Sequence, residues 1–358
     1  MSIIKKIIFT IILTLLSIVA VNALCALGER TAYGARWAGD RPEGLYIHQN
    51  GERPRLAPNA VLSGWLYDIR INSLGFRGRE LDIQDRKPKD TVRIWAIGGS
   101  TTFDIFASNN EETWPSLLEQ YLQEAHPNLT IEVINAGVPG EVYWGSKTDF
   151  ENYHSKMESE FILLYHGPND LRQVSTTPMH SHGAHKTHQI GPANPGFHSL
   201  LSNQEWALMR VLRRTVQPLQ PLQPHWEDKH ITQNMINDLQ NRAQQMIQSA
   251  QHRRVQPILA THALRAQPGD TGDVARTRVA ESAQLLQMMP EEVIEGFDAY
   301  NDMMKKLAKQ RNLPLADIRS VVGPESENWG DATHFRLSGS ELAAKEFFAV
   351  ISPLLEKR

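Results

Sequence analysis

Residues 92–101 read Val92-Arg93-Ile94-Trp95-Ala96-Ile97-Gly98-Gly99-Ser100-Thr101. Apart from Arg93 the first six are apolar, with β-branched and aromatic side chains over a strand length, so they read as a buried strand. Two glycines stop it. The serine that follows sits on a sharp turn that lifts its hydroxyl away from the backbone, and the glycines allow close approach. Downstream the same grammar repeats. Thr130–Asn135 reads as a second strand, closed by Asn135-Ala136-Gly137-Val138-Pro139-Gly140. Phe161-Ile162-Leu163-Leu164-Tyr165 reads as a third, closed by His166-Gly167-Pro168-Asn169-Asp170. Val255–Leu259 is a fourth, and Leu313–Ile318 a last short one. Between them lie helical patterns: one capped by Thr113 through Trp114, Leu118 and Leu122, one from the early 140s to the mid-150s, then 231–252, 273–288, 291–311 and Ser338–Leu355. Strands alternating with helices predict a parallel sheet covered on both faces. The three glycine-bearing loops then follow strand C-termini, where open α/β sheets carry their sites.

Those loops, with Asp331-Ala332-Thr333-His334 near the C-terminus, hold complementary chemistry. Ser100 offers a hydroxyl nucleophile. Asp331 and His334 are three residues apart, so one turn places carboxylate beside imidazole and leaves the second ring nitrogen free for a proton. The backbone N–H groups of Ser100 and Gly140 and the side-chain amide of Asn169 supply donors for an oxyanion. Taken singly, each has a plainer reading: a turn serine, an aspartate capping the last helix, an Asx-turn asparagine. Together they are the parts of a serine acyl-transfer site. An α/β-hydrolase elbow would need Gly-x-Ser-x-Gly, whereas Ser100 precedes Thr101-Thr102. A phosphate-binding loop would need a lysine that is absent here. His180, His182, His185 and His188 form a histidine-rich loop without helical spacing, which reads as solvated rather than metal-binding.

The four segments resemble the blocks of the SGNH hydrolases, the GDSL-type esterases, over about residues 91–355. Ser100 in Gly98-Gly99-Ser100-Thr101, Gly140, Asn169 in Gly167-Pro168-Asn169-Asp170, and His334 match the family's Ser, Gly, Asn and His. Gly99 departs from the aspartate of the family's name motif. The resemblance implies a flavodoxin-like three-layer α/β/α sandwich with a central parallel sheet. It implies Ser100 as nucleophile, His334 as base, Asp331 orienting it, and an oxyanion hole of Ser100, Gly140 and Asn169. It implies no cofactor and no metal.

The chain of 358 residues can bury a large core, and its net charge of −3 with no basic stripe argues against nucleic-acid binding. The one cysteine, Cys25, excludes an intramolecular disulfide. Residues 1–6 carry Lys5 and Lys6 and read as a cytoplasmic N-terminus. The apolar run from Ile7 to Leu27 predicts a transmembrane anchor over 7–28, longer than the usual core of a cleaved signal peptide. Everything after it is then extracytoplasmic, periplasmic or extracellular, and would be secreted if the segment were cleaved at a site such as Val21-Asn22-Ala23. Residues 29–90, rich in Gly, Arg and Pro, read as an irregular extension with short strands. Arg77, between Gly75 and Gly78, reads as part of a structural turn packed on the main domain. The hydrolase domain spans 91–358 with an insertion at 172–227, partly helical around Gln204–Arg214. Trp114, Tyr143 and Trp144 lie near the cleft loops and read as core. The expected activity is hydrolysis of carboxylic esters, short acyl or acetyl, on envelope glycan or lipid. O-acyl transfer to an exported polysaccharide and a non-catalytic envelope-binding module are the alternatives.

Overall fold

Strand β1, Thr91–Gly98, is buried along its whole length. Its side chains alternate between two hydrophobic layers. Trp95 and Ile97 face one cluster with Tyr143 and Phe150, while Ile94 and Ala96 face the other with Trp114 and Phe347. A strand that must be apolar on both faces belongs in the middle of a covered parallel sheet. The computed structural model describes residues 3–34, 37–38, 41–42, 44–47, 55–83, 87–176, 207–208 and 222–356. Among these the chain divides into two compact units. One holds residues 1–70 and 185–218, the other 71–184 and 219–358.

The second unit carries the sheet. β1 pairs in parallel with β2 (Thr130–Gly137) and β3 (Phe161–Tyr165), β3 with β4 (Gln256–Ala260), and β4 with β5 (Leu315–Ala316). The spatial order is β2-β1-β3-β4-β5. This is the flavodoxin-like order, with a crevice beyond the strand ends where the order reverses. The helices are α1 (Ser100–Phe103), α2 (Trp114–Ala125), α3 (Tyr143–Met157), α4 (Pro168–Thr176), α5 (Gln233–His252), α6 (Gly272–Leu286), α7 (Pro290–Arg311), α8 (Ile318–Val321) and α9 (Leu337–Leu355). Helices α2 and α9 cover one face, and α3, α5, α6 and α7 the other. The expected three-layer α/β/α sandwich is what forms. Register places Gly98 opposite Gly137 on one side and Tyr165 on the other. The loops carrying Ser100, Gly140 and Asn169 therefore leave the sheet at one level.

Two boundaries differ from the sequence reading. The last strand is only Leu315–Ala316, because Asp317 turns the chain into α8 and its carboxylate accepts from Thr261 Oγ1 at 2.7 Å. Helix α4 continues to Thr176, inside the segment read as an insertion from 172. His180, His182, His185 and His188, and nearly all of Gln204–Arg214, lie outside the described residues.

The first unit holds an N-terminal helix, Ile3–Tyr33, exposed along most of its length. It is the one helix among the described residues long and apolar enough to cross a membrane. It runs past residue 28 because Gly28 does not break it; Gly34, at φ 72°, does. Three small antiparallel pairs follow: Trp37–Ala38 with Arg41–Pro42, Tyr46–Ile47 with Arg55–Leu56, and Val61–Ser63 with Asp68–Arg70.

Candidate active site

Ser100 is the first residue of α1, so its backbone N–H has no partner within the helix. The short helix is fixed from beneath. Trp114 Nε1 donates to Thr101 O at 3.0 Å, and Thr102 Oγ1 donates to Tyr165 O at 3.2 Å. Trp114 is itself fully buried, stacked on Phe347 of α9. The serine is thus carried by a rigid turn at the end of the central strand.

His334 arrives from the loop before α9. Its Nε2 lies 2.7 Å from Ser100 Oγ, and its Nδ1 lies 2.7 Å from Asp331 Oδ2. The second oxygen of Asp331 accepts the backbone N–H groups of Thr333 and His334 at 2.8 and 2.9 Å. Burial alone would raise the Asp331 carboxyl. His334 and the two backbone donors outweigh it and hold the group below its ordinary value. The carboxylate thus stays charged and fixes which ring nitrogen faces the serine. The loop is pinned by Arg265 N–H donating to Ala332 O at 2.9 Å. Phe106, half-exposed, leans over the imidazole with ring centroids 6.1 Å apart.

The two other residues expected to donate to an oxyanion lie on the neighbouring loops. Gly140 adopts φ 87°, a conformation that favours glycine, and is exposed. Asn169 Nδ2 donates one N–H to Glu141 O at 3.0 Å, and a primary amide has a second. A Cβ on Gly99 would come within 2.5 Å of that Nδ2. An aspartate here would have to displace the Asn169 amide. The departure from the name motif and the position of Asn169 are therefore two sides of one packing arrangement. Asp170, fully buried, accepts from Tyr143 N–H through Oδ1 at 3.0 Å and meets His166 Nδ1 through Oδ2 at 3.1 Å. His166 Nε2 in turn reaches Ser146 Oγ at 3.1 Å. This second Ser–His–Asp string is buried throughout and braces the two donor loops rather than facing the cleft.

Three further groups support the site. Asp104, four residues after Ser100 at φ 65°, accepts from Trp114 N–H at 2.9 Å and from Ser340 Oγ of α9 at 2.7 Å. Burial pushes its carboxyl up to about 6. His262 lies flat on Tyr165 with centroids 4.7 Å apart, and its Nε2 is 3.3 Å from Thr101 Oγ1. Burial lowers it to about 3, so it is neutral at physiological pH. Arg77 is buried, and its guanidinium donates to Phe103 O, Asp104 O, Ala107 O and Asn109 O at 2.8–3.0 Å, tying down the loop after α1.

Of the five residues singled out from the sequence, Ser100, His334 and Asp331 stand in direct hydrogen-bonded series, and Gly140 and Asn169 lie on the loops that follow the two neighbouring strands. Trp114 and Tyr143 are core as expected. Trp144 is 42% exposed, contrary to the reading as core, because it lies on the solvent side of α3 beside buried Tyr143. Asp104, Asp170 and His262 were not singled out. For Asp170 the signal was present, one residue beyond Asn169 and four beyond His166. Asp104 and His262 gave none, since their partners lie far away in sequence.

A serine, histidine and aspartate in hydrogen-bonded series at the end of a central parallel strand is an arrangement that hydrolytic enzymes use on several folds. Residues 96–342 match the GDSL-like Lipase/Acylhydrolase family, to which the chain belongs, making it an ester hydrolase by class. No curated protein matches it. Among solved structures, it resembles a protein described as lipolytic, of the G-D-S-L family, from Desulfitobacterium hafniense DCB-2. Identity is 15%, covering 72% of this chain and 99% of that one, with a TM-score of 0.42. A variant of an acetyl xylan esterase from Geobacillus stearothermophilus gives 15% identity, 73% and 94% coverage, and a TM-score of 0.44. An alpha/beta hydrolase enzyme from the metagenome of Lake Arreo gives 14%, 74% and 96%, and 0.43.

Proposed function

We propose that this enzyme hydrolyses short-acyl carboxylic esters, acetyl esters being the simplest, through an acyl-serine on Ser100. The substrate is an ester on exported envelope glycan or lipid, and the protein is held at the membrane by its N-terminal helix with the hydrolase unit outside. The observation that carries the chemistry is the 2.7 Å contact of Ser100 Oγ with His334 Nε2, itself backed by Asp331 at 2.7 Å. Ser100 Oγ attacks the ester carbonyl carbon while His334 Nε2 takes its proton. The carbonyl oxygen becomes an oxyanion facing the N–H groups of Ser100 and Gly140 and the Asn169 amide. The alkoxy C–O bond then breaks, and the leaving alkoxide takes the proton from His334. Water, losing a proton to the same imidazole, attacks the acyl-serine; the bond from the acyl carbon to Ser100 Oγ breaks, Oγ takes the proton back from His334, and the acid leaves. The location follows from Lys5 and Lys6 on one flank of the apolar helix.

The test is turnover of p-nitrophenyl esters of C2 to C12 acids by the full-length protein in detergent, alongside Ser100→Ala and His334→Ala. Covalent labelling by a fluorophosphonate is scored in parallel. The reading predicts turnover falling with acyl length, labelling of wild type only, and losses on the order of 10⁴ in kcat for each variant. Turnover that appears only with an oligosaccharide acceptor, with the acyl group recovered on the sugar, would make the protein a transferase. Wild type that neither turns over nor labels would favour a binding module.

A further inference from the structure

We propose that the tip of the Val61–Arg70 hairpin is a second membrane contact, seated in the headgroup layer of the bilayer that the N-terminal helix crosses. The proposal rests on the membrane-anchor reading. It begins with how the helix ends. The last carbonyls of a helix have no partner inside it, and beside a bilayer no bulk water is assured for them. Here the chain itself caps them. Gly34 N–H donates to Arg30 O at 2.9 Å, Trp65 N–H to Thr31 O at 2.9 Å, and Leu66 N–H to Ala32 O at 2.8 Å. The hairpin tip is therefore fastened to the helix end by its own backbone.

That fastening fixes a depth. If the hydrocarbon core begins at Ile7, just after the lysines, a 30 Å core at about 1.5 Å per residue ends near Leu27. Thr31 and Ala32 then stand roughly 6–8 Å beyond it, within the headgroup layer. The residues brought to that level are apolar and uncovered. Trp65 is 76% exposed, against 42% for Trp144, and Leu66 is 39% exposed. On the helix, Leu27 stands one turn before Thr31 and is 58% exposed, and Leu24 is 66% exposed. Beneath the tip, Leu62 and Ile69 are buried, so the hairpin presents Trp65 from a packed base. A tryptophan beside a leucine at headgroup depth is the composition that membrane interfaces favour.

The experiment uses the full-length protein in vesicles of phosphatidylcholine and phosphatidylglycerol. A nitroxide is attached at Leu66→Cys on a Cys25→Ala background, and another at exposed Lys345→Cys as an aqueous reference. Accessibility to oxygen and to an aqueous nickel chelate is read for both. The proposal expects several-fold less nickel-chelate contact at position 66 than at 345, and a shift toward the aqueous value when Trp65→Glu is added. Equal nickel-chelate contact at the two positions overturns it. So does shielding from both reagents with dipolar broadening at high lipid excess, since a second copy would then cover the tip. Carbonate extraction separates the two levels of failure. Protein released from the vesicles refutes the anchor and the proposal together, whereas retained protein with a water-exposed label refutes the hairpin contact alone.

Discussion

The backbone N–H of Tyr143 donates to Asp170 Oδ1 at 3.0 Å, and this bond, with that of Asn169 Nδ2 to Glu141 O, joins the segment after Gly140 to the loop that carries Asn169. Two proposed oxyanion donors from different strands keep their spacing through a buried carboxylate that touches neither substrate nor nucleophile. Asp170→Ala is therefore expected to lower kcat by about 10–100-fold with little change in KM. Combined with Asn169→Ala, the losses should fall short of additive, because both remove the same geometry. A double-mutant cycle in kcat/KM reads this directly. Fully additive losses would mean that Asp170 acts only on overall stability.

Asn169→Ala by itself should cost about 10²–10³ in kcat with KM nearly unchanged, the signature of a donor used only when charge develops. Steady-state kinetics on p-nitrophenyl acetate provide the check. A rise in KM alone would recast Asn169 as a ground-state contact.

Asp331→Ala should lower kcat by about 10⁴, since the imidazole loses both its tautomeric control and the charge that steadies its protonated form. The thermal transition should move little, because Asp331 is partly exposed and its other bonds are to local backbone N–H groups. Comparing the loss in activity with the change in Tm separates the two effects.

Asp104 gives a pH dependence with a defined sign. Its folded value of about 6 lies above the ordinary carboxyl value of 3.8. The native state therefore holds this proton when the unfolded chain has released it. The group's contribution is fully present below 3.8 and is lost as pH rises through about 6. The loss is about 3 kcal/mol at 1.36 kcal/mol per unit. Asp104→Asn can still accept from Trp114 and Ser340, and should lessen the fall in stability between pH 4 and 7. Denaturant midpoints of both proteins across that range test it; parallel curves would refute the assignment.

Arg77→Met would leave the buried carbonyls of Phe103, Asp104 and Ala107, and the half-buried one of Asn109, without their shared donor. A loss of about 3–5 kcal/mol is expected, or roughly 10 °C in Tm. Calorimetry measures it. Residual kcat in the folded fraction should remain within a few-fold, because the guanidinium holds the loop after α1 rather than the reacting groups.

How far the sequence could be read depended on how local each interaction is. The five strands and their loops were legible because a buried parallel strand must be apolar on both faces, as Ile94-Trp95-Ala96-Ile97 is. The Asp331–His334 pair was legible because its spacing is one turn. Asp104 was not, since its meaning comes from Ser340, whose hydroxyl lies 236 positions away. Trp144 was misread because position along α3, not residue type, determines which neighbour faces water. The short last strand was also local, but Asp317 is claimed by Thr261 of another loop, and only the fold brings these together.

The reach of Arg77 has a practical bearing on where this enzyme can be divided. The regular alternation of strand and helix starts at Thr91, which makes that point inviting for trimming the gene. Yet the side chain that knots the loop behind the Ser100 turn enters fourteen positions earlier. A version started at residue 91 would leave an open socket at Phe103, Asp104, Ala107 and Asn109. A synthetic peptide spanning residues 71–83 would be the natural plug for it, and restored turnover on adding that peptide would make the two pieces a split reporter.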